Sequence, residues 1–352
     1  WKKAPGMLLN PGQPLFLRWS YLPQLFPFLI KYMRNGSPAR VEAIATALHT
    51  LLGDSPDQHQ ALTEGTDAAD LIRPGSYLYG YTDRGARDAD AYGWDLRAEK
   101  GATFRDLDSD ALAAYDPALK GRFGHAVELV HHGVIVDPGL YVLKLAAHFE
   151  AQGGTISTAT LTGFRRENGQ ATAAQTDQGD IPADGFVVTT GVWSQALAKS
   201  LGVEVPVESE RGYHIEFHRP NIQLKGSVMV AKGKFAVSPM EGRMRAAGVV
   251  EFGGTKAGPS KAPFALLRKN IREIFPDLEF ENTSEWMGHR PSTSDSLPVI
   301  GPSPKLPNVY FGYGHQHVGL TGGPKTGRWL AQMMTGAAVN EDLSAYSPAR
   351  RS

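Results

Sequence analysis

NVYFGYGHQHVGLTGGPKTGRWLAQMMTG, residues 308–336, places a predicted strand, a glycine-rich loop and a helix in immediate succession. The helix is predicted from about Pro324 to Gly336. Glycines crowd the loop before it: Gly312, Gly314, Gly319, Gly322 and Gly323. Glycine at this density lets backbone amides approach a bound molecule closely, and a helix N-terminus favours negative charge there. The segment lacks the order of a Walker A loop, and the alternative interpretation is a flexible surface loop.

A second strand, glycine turn and helix occur in GFVVTTGVWSQAL, residues 185–197. The apolar strand ends at Thr189, Thr190 and Gly191, and a helix is predicted from near Trp193 to Gly202. The carboxyl end of a parallel strand, followed by a helix N-terminus, is where α/β folds bind ligands. The glycine could instead serve only tight packing. Two such turns in one chain favour a cofactor site.

A third segment, EWMGHRPSTSDSLPVIGPSP at residues 285–304, contains a single arginine, Arg290. Prolines restrict the backbone after it. A guanidinium held by rigid backbone can bind a carboxylate through two parallel hydrogen bonds. A buried structural salt bridge explains the same pattern equally well, so the residues alone leave both alternatives open.

Composition excludes several classes of function. The 352 residues include 36 basic and 36 acidic side chains and no cysteine. A balanced charge gives no field that would attract nucleic acid, so no nucleic-acid partner is expected. The lack of cysteine excludes disulfides, thiolate nucleophiles and cysteine-bound metals. No metal site is expected at His125, His131 and His132, because their spacing does not match that of metal ligands.

Helices and strands alternate along most of the chain. Helices are predicted from Ser37 to Gly53, over 137–153 and after Pro263. Leu140, Leu143, Ala147 and Ala151 form an apolar stripe on the second of these. Strands are predicted at 155–164, 172–177 and 185–190, and 213–252 is predicted to be an antiparallel meander.

The apolar segment 22–33, YLPQLFPFLIKYM from Tyr21, is too short to cross a bilayer, which takes about 20 residues. It is flanked by basic residues and could lie in a membrane interface. Packing into a protein core is the favoured alternative.

Five motifs together resemble the D-amino acid dehydrogenase and glycine oxidase family of FAD-dependent oxidoreductases, the DAO type. They are VDPGLYVLKLAAHFEAQGG, GFVVTTGVWS, RGYHIEF, WMGHRPSTSDSLPVIG and GHQHVGLTGGPKTG, and the resemblance spans about 120–340. The resemblance implies a mixed α/β fold, in which a glutathione-reductase-type FAD-binding domain is interleaved with an antiparallel-sheet substrate domain. The FAD-binding domain is expected at 120–205 and 285–352, and the substrate or cap domain at 1–119 and 206–284.

The resemblance also implies site residues. Arg290 would bind the substrate carboxylate. His317 departs from the pattern of some relatives, which have a second basic residue there, so no second carboxylate contact is assigned. The implied substrate-binding residues are Arg290, Tyr213, Phe235, His315 and His317. The implied FAD-binding residues are Leu161, Thr190, Gly191, Trp193, Gly288, Gly314, His317, Val318, Gly319, Leu320 and Thr321. No catalytic base is assigned.

The implied reaction is oxidative deamination of a small D-amino acid to a 2-oxo acid and ammonia, with electrons passing to a quinone or another acceptor. A cytoplasmic location is implied, with peripheral contact to the inner face of the membrane. Two alternatives stay open: a glycine, sarcosine or D-hydroxyproline oxidase, and a non-catalytic carboxylate-binding fragment without flavin. The family's first βαβ dinucleotide unit, with its glycine-x-glycine-x-x-glycine motif, is absent. Residues 1–14 resemble the segment that follows this unit, so the chain alone is expected to bind FAD poorly.

Overall fold

The computed structural model describes residues 14–350, and these divide into two compact units. Unit one consists of residues 14–19, 63–148 and 211–288, and unit two consists of residues 20–62, 149–210 and 289–350. The predicted domains divide the chain differently mainly at 20–62, which belongs to unit two, and at 120–148, which belongs to unit one, with smaller differences at 206–210 and 285–288. Of residues 1–14, which are predicted to resemble the segment after the family's first βαβ unit, only residue 14 is among the described residues.

The chain forms fifteen strands and ten α-helices within the described residues. The strands are β1 (Leu15–Leu17), β2 (Ile72–Tyr81), β3 (Phe104–Asp108), β4 (His125–Ile135), β5 (Leu161–Glu167), β6 (Gln170–Thr176), β7 (Gly179–Pro182), β8 (Phe186–Val188), β9 (Val207–His218), β10 (Ser227–Val230), β11 (Phe235–Met240), β12 (Arg243–Phe252), β13 (Asn282–Thr293), β14 (Val299–Pro302) and β15 (Val309–Tyr313). The helices are α1 (Leu22–Arg34), α2 (Pro38–Leu52), α3 (Ser55–Thr63), α4 (Arg84–Asp88), α5 (Ala91–Glu99), α6 (Ser109–Tyr115), α7 (Pro138–Ala151), α8 (Ser194–Ser200), α9 (Lys261–Ile274) and α10 (Gly319–Thr335).

A large mixed sheet dominates unit one. Its strand order is β13-β9-β12-β11-β10-β2-β4-β3, and β1 pairs with β12. The predicted meander is confirmed for β10, β11 and β12, which pair as antiparallel neighbours. It is wrong for β9, which lies beside β12 instead of β10. β10 has the parallel strand β2 as its other neighbour, so the sheet is mixed.

The core of unit one lies between one face of this sheet and helix α9. Strand alternation places Tyr213, Ile215 and Phe217 on the same face of β9, and all three are buried. Phe264 and Leu267 of α9, one helical turn apart, belong to the same cluster. The core therefore forms between the apolar face of a strand, which repeats every two residues, and the apolar face of a helix, which repeats every 3.6 residues.

A buried ion-pair network lies in this core. The Glu251 carboxylate is 2.6 Å from Nη1 of Arg211, whose side chain is fully buried. The Tyr213 hydroxyl donates to the same carboxylate at 2.5 Å, and the Ser260 hydroxyl donates at 2.6 Å. Arg18 adds a second guanidinium 3.4 Å away. Several partners thus compensate the loss of water around one buried carboxylate.

Unit two contains two three-stranded sheets. One has the order β14-β15-β8, with β15 parallel to β8 and antiparallel to β14. The other is the antiparallel set β5-β6-β7. The predicted strand at 155–164 begins only at Leu161, and those at 172–177 and 185–190 correspond to β6 and β8.

Helix α10 begins at Gly319, five residues before the predicted start at Pro324. Proline has no N–H, so it cannot donate to the carbonyl of Leu320 four residues earlier. His59 of α3 supplies the missing bond: its Nε2 lies 3.0 Å from that carbonyl oxygen and carries the donated hydrogen. Ser55 donates to the next carbonyl, that of Thr321, at 2.7 Å. The predicted loop therefore ends at Val318, and 319–323 is helical.

Helix α7 matches its predicted limits but not its predicted buried face. Leu140 and Leu143 of the predicted stripe are exposed, the latter at 67%, and Tyr141 is the buried residue. Periodicity located the helix correctly, but the predicted apolar stripe is not the face of α7 that the described residues bury.

Helix α1 has one buried and one exposed apolar face. Leu25 and Phe28 are buried, as the core-packing alternative predicts. Phe26 and Met33 are exposed, at 55% and 46%. Across residues 14–350, no helix has the length and apolar character needed to cross a bilayer.

Candidate functional site

The two glycine turns lie side by side in unit two. Parallel pairing of β8 with β15 sets Val188 opposite Phe311, so both strands end at the same edge of the sheet. Gly191 follows one strand with φ +58°, and Gly314 follows the other with φ +87°. Both conformations favour glycine. Apart from its chain neighbours, no atom of residues 14–350 lies within 4 Å of a Cβ placed on Gly191, so the described residues leave the space above this turn open.

The Arg290 segment adjoins the second turn. Ser292 and His315 form an isolated antiparallel bridge, and the amide of Gln316 donates to the carbonyl of Pro291 at 3.2 Å. On the other side of Arg290, the His289 ring lies edge-to-face with Trp193, 5.5 Å between centroids. The structure therefore brings together the three segments that the sequence singled out.

Arg290 is a mostly buried cation with unused donors. Its side chain is 22% exposed, and its Nη1 atom has no hydrogen-bond partner among residues 14–350. The nearest acid is Glu210, whose Oε1 is 3.7 Å from Nη1. Burial lowers the pKa of Arg290, and the charge of Glu210 opposes that shift. A mostly buried guanidinium that keeps some exposed surface is suited to bind an anionic group.

Glu210 is the site residue that sequence reasoning missed. It lies on β9, beside the strand β13 that carries Arg290. Its Oε1 is 2.6 Å from Nε2 of His317, and its Oε2 accepts a hydrogen bond from Ser292 at 2.8 Å. Burial alone would raise the pKa of Glu210, but the contact with His317 and the charge of Arg290 hold it below its ordinary value. Glu210 is therefore ionised at neutral pH.

His315 is held in one orientation by helix α10. Its Nε2 lies 2.9 Å from the hydroxyl of Thr326, and that hydroxyl donates to the carbonyl of Gly322. The hydroxyl hydrogen is thus committed, so Nε2 of His315 is the donor. Burial lowers the pKa of His315 to about 4. The ring is neutral at physiological pH.

We expect this buried histidine to make the fold sensitive to acid. In the unfolded chain, the pKa of His315 returns to the ordinary 6.5. Between pH 6.5 and about 4 the unfolded chain therefore binds more protons, and stability falls as the pH falls, by about 3 kcal/mol at most. In His315→Gln this part of the loss should disappear, as measured by urea unfolding from pH 7 to 4. His148→Gln, on the exposed surface of α7, should retain the wild-type slope.

The predicted FAD-binding residues of unit two occupy the edges of the two turns. Trp193 is 63% exposed and Leu320 is 40% exposed, so both present apolar surface to solvent. The first residues of α10, where Leu320 lies, carry amide groups that have no partner within the helix. Leu161 of β5 packs against the core that contains β8. The remaining predicted residues here are Thr190, Val318, Gly319 and Thr321.

Three predicted site residues lie in unit one, and two of them require correction. Tyr213 and Phe235 are each 1% exposed, in the core beneath the sheet. The hydroxyl of Tyr213 already donates to Glu251. Side chains alternate along a strand, and these two point into the core, so they are not retained as substrate contacts. Gly288 lies against the ring of Trp286, where a Cβ would clash.

Comparisons with known proteins agree with this architecture. The DAO family of FAD-dependent oxidoreductases matches residues 18–333. A D-amino-acid oxidase of Bradyrhizobium diazoefficiens is 37% identical over 355 residues, covering 99% of this chain and 84% of that protein. A glycine oxidase of Pseudomonas putida is 30% identical over 268 residues, covering 75% of this chain and 72% of that protein.

Solved structures show the same fold. The crystal structure of glycine oxidase from Bacillus cereus superposes with a TM-score of 0.74 at 20% identity, covering 86% of this chain and 85% of that one. The glycine oxidase of Geobacillus kaustophilus gives a TM-score of 0.73 at 21% identity, covering 90% and 84%. These likenesses confirm the predicted mixed α/β fold. With a family match over most of its length and a relative at 37% identity, this chain belongs to the DAO family of FAD-dependent oxidoreductases.

Proposed function

We propose that this protein oxidises small D-amino acids to 2-oxo acids and ammonia, with FAD as its cofactor. The observation that carries the proposal is Arg290, a mostly buried cation whose neighbours in the chain contact the segments that follow both glycine turns. A cation in that position can hold the carboxylate that every amino acid possesses. The D-amino-acid oxidase relative, similar along nearly the whole chain, supports the substrate class.

The residues present fit FAD. None of the described residues would obstruct a Cβ at Gly191 or Gly323, so these residues leave the backbone at both places open to close approach by a ligand. The N-terminus of α10 would stabilise negative charge on the pyrimidine end of the ring. Thr190 and Gly191 would hold the adenosine and pyrophosphate side, and Leu161 the adenine. Bound FAD supplies the acceptor for the hydride that leaves the alpha carbon.

The protein's own part in the reaction is to position the substrate. Arg290 would bind the carboxylate through parallel hydrogen bonds, which fixes the alpha carbon in one place. The hydrogen bond that His315 donates to the Thr326 hydroxyl keeps the His315 ring in one orientation. Neutral His315 adds no second positive charge next to Arg290, so a single carboxylate is matched by a single cation.

The substrate class is testable by turnover. With FAD supplied in excess, we expect D-alanine and other small D-amino acids to reduce an artificial dye, with the 2-oxo acid measured as product. Glycine or sarcosine as the best substrate would instead favour the alternative suggested by the glycine oxidase relatives. Binding of carboxylates without any turnover would leave only the non-catalytic alternative.

The electron acceptor is proposed to be a membrane quinone, reached by a cytoplasmic protein that contacts the membrane surface. Exposed Phe26 and Met33 on α1, with Lys31 and Arg34 in its last turn, have the composition of an interfacial helix. Dye reduction without peroxide release, together with sedimentation on anionic liposomes, is the expected result. Stoichiometric peroxide and no liposome binding would point to oxygen as acceptor.

A further inference from the structure

We propose that the side chains of His317 and Glu210 act together as a general base that removes a proton from the substrate's ammonium group. This inference rests on the proposed function and assigns a step that the carboxylate contact at Arg290 leaves open. An amino acid arrives as a zwitterion at neutral pH. Its nitrogen must lose a proton before the alpha carbon can lose a hydride, because only a free lone pair stabilises the cation that develops at that carbon.

The geometry fixes one end of the pair and leaves the other accessible. Glu210 is only 13% exposed, and its two oxygens are occupied by His317 and Ser292. The His317 side chain is 52% exposed. A buried, immobilised carboxylate behind a half-exposed imidazole is the arrangement by which enzymes orient a histidine base.

The hydrogen-bond pattern selects the tautomer. Ionised Glu210 can only accept, so Nε2 of His317 carries the hydrogen at 2.6 Å. In the neutral ring that the proposal requires, the lone pair is therefore on Nδ1, which makes no hydrogen bond within residues 14–350. Nδ1 is thus available to accept a proton from a bound ligand.

The surrounding charges suit this role. Arg290 on β13 is the nearby cation, and it would be neutralised by the substrate carboxylate. Tyr32 on α1 is close enough to Glu210 for that carboxylate to raise the pKa of its phenol, after burial as the larger cause. His315, in the same loop, is neutral. Ionised Glu210 places a negative charge directly behind His317, which attracts an ammonium group.

The proton balance needs no additional reactant. One N–H bond of the substrate ammonium breaks, and one N–H bond forms at Nδ1 of His317. The amine becomes neutral, and the charge of the pair changes from minus one to zero. The half-exposed ring can then return the proton to water. The competing role for His317 is a second contact to the substrate carboxylate, which would require the opposite charge on its ring.

Two ligands that differ only in the amino group separate these roles. 2-Aminoisobutyrate has no alpha hydrogen and cannot be oxidised, and isobutyrate lacks the nitrogen. In the FAD-loaded protein, we expect the affinity for 2-aminoisobutyrate to fall as the pair is protonated at low pH, because an imidazolium repels an ammonium. The affinity for isobutyrate should rise over the same range. Calorimetric titrations at successive pH values measure both.

Variants identify the residues. His317→Gln should abolish the acid-side loss of 2-aminoisobutyrate affinity, and Glu210→Gln should weaken 2-aminoisobutyrate binding at neutral pH, because the negative charge that attracts the ammonium group is gone. His148→Gln is the matched control and should follow the wild type. Parallel pH profiles for the two ligands in the wild type, or an unchanged profile in His317→Gln, would overturn the proposal.

Turnover gives the second readout. General-base catalysis contributes at least about 100-fold, so kcat/KM of His317→Gln for D-alanine should fall by about that factor at neutral pH. The defect should shrink at alkaline pH, where the substrate amine is already neutral in solution. An equal loss at every pH would indicate a structural role and contradict the assignment. If the wild type turns over no D-amino acid, the proposed function fails, whereas the two-ligand contrast still decides the role of the pair.

Discussion

Arg290→Ala is expected to lower kcat/KM for D-amino acids by roughly 30- to 1,000-fold, mainly through a higher KM. Removing one partner of a buried, hydrogen-bonded charge pair costs about 2–4 kcal/mol, and that range converts to this factor. The loss should also appear as weaker binding of isobutyrate, which tests the carboxylate contact without turnover. Steady-state kinetics and calorimetry on the FAD-loaded protein measure the two effects.

The variant Arg290→Lys distinguishes geometry from charge. Lysine keeps the positive charge but cannot form two parallel bonds to one carboxylate, so we expect it to recover only part of the affinity. Arg328, whose exposed guanidinium lies 3.1 Å from Glu341, provides the control, and Arg328→Ala should behave as the wild type. Unchanged kinetics in Arg290→Ala would remove this residue from the proposed site.

Glu251→Gln is expected to destabilise unit one by about 3–5 kcal/mol, the cost of leaving a buried charge without its partner. The substitution preserves shape but removes the negative charge that faces Arg211, which is fully buried, and it disturbs the hydrogen bond from Tyr213. The free energy of unfolding from urea titrations is the measurement. A fall in that energy should accompany a lower thermal midpoint.

Matched variants show whether burial of the ion pair causes the expected loss of stability in Glu251→Gln. Glu281 pairs with Arg219 at 2.9 Å, but both side chains are largely exposed, so Glu281→Gln should change the free energy of unfolding by less than about 1 kcal/mol. Tyr213→Phe removes one hydrogen bond to Glu251 and should cost about 1–3 kcal/mol, an intermediate loss. Equal effects of the two glutamate substitutions would contradict a special role for the buried network.

Local signals predicted local structure well. Pro38 sets the start of α2 through its own backbone properties, so the sequence sufficed there. The start of α10 was missed because the bond that permits helix before Pro324 comes from His59, far away in the chain. Turn chemistry predicted the hairpins of 227–252, but it could not show which strand lies next to β9.

In the candidate site, too, some features have a local sequence signal and others depend on contacts between distant parts of the chain. Glycine patterns and a proline-flanked arginine predicted the segments that meet around Arg290. Glu210 has no local signature, since only the fold sets it beside His317. The motif located the strands of Tyr213 and Phe235 correctly, but it did not show which face of the sheet these side chains occupy. That face depends on the exact position of a residue along its strand, and both side chains are buried in the core.

The hydrogen bonds that Ser55 and His59 donate to the first carbonyls of α10 matter for engineering this protein. They fasten the beginning of a helix from outside that helix, through a segment more than 260 positions earlier in the chain. Mutagenesis libraries that vary only residues lining the ligand would leave this support untouched. Varying the two supporting side chains instead offers a way to adjust the tilt of the glycine-bearing turn while every candidate contact residue stays the same.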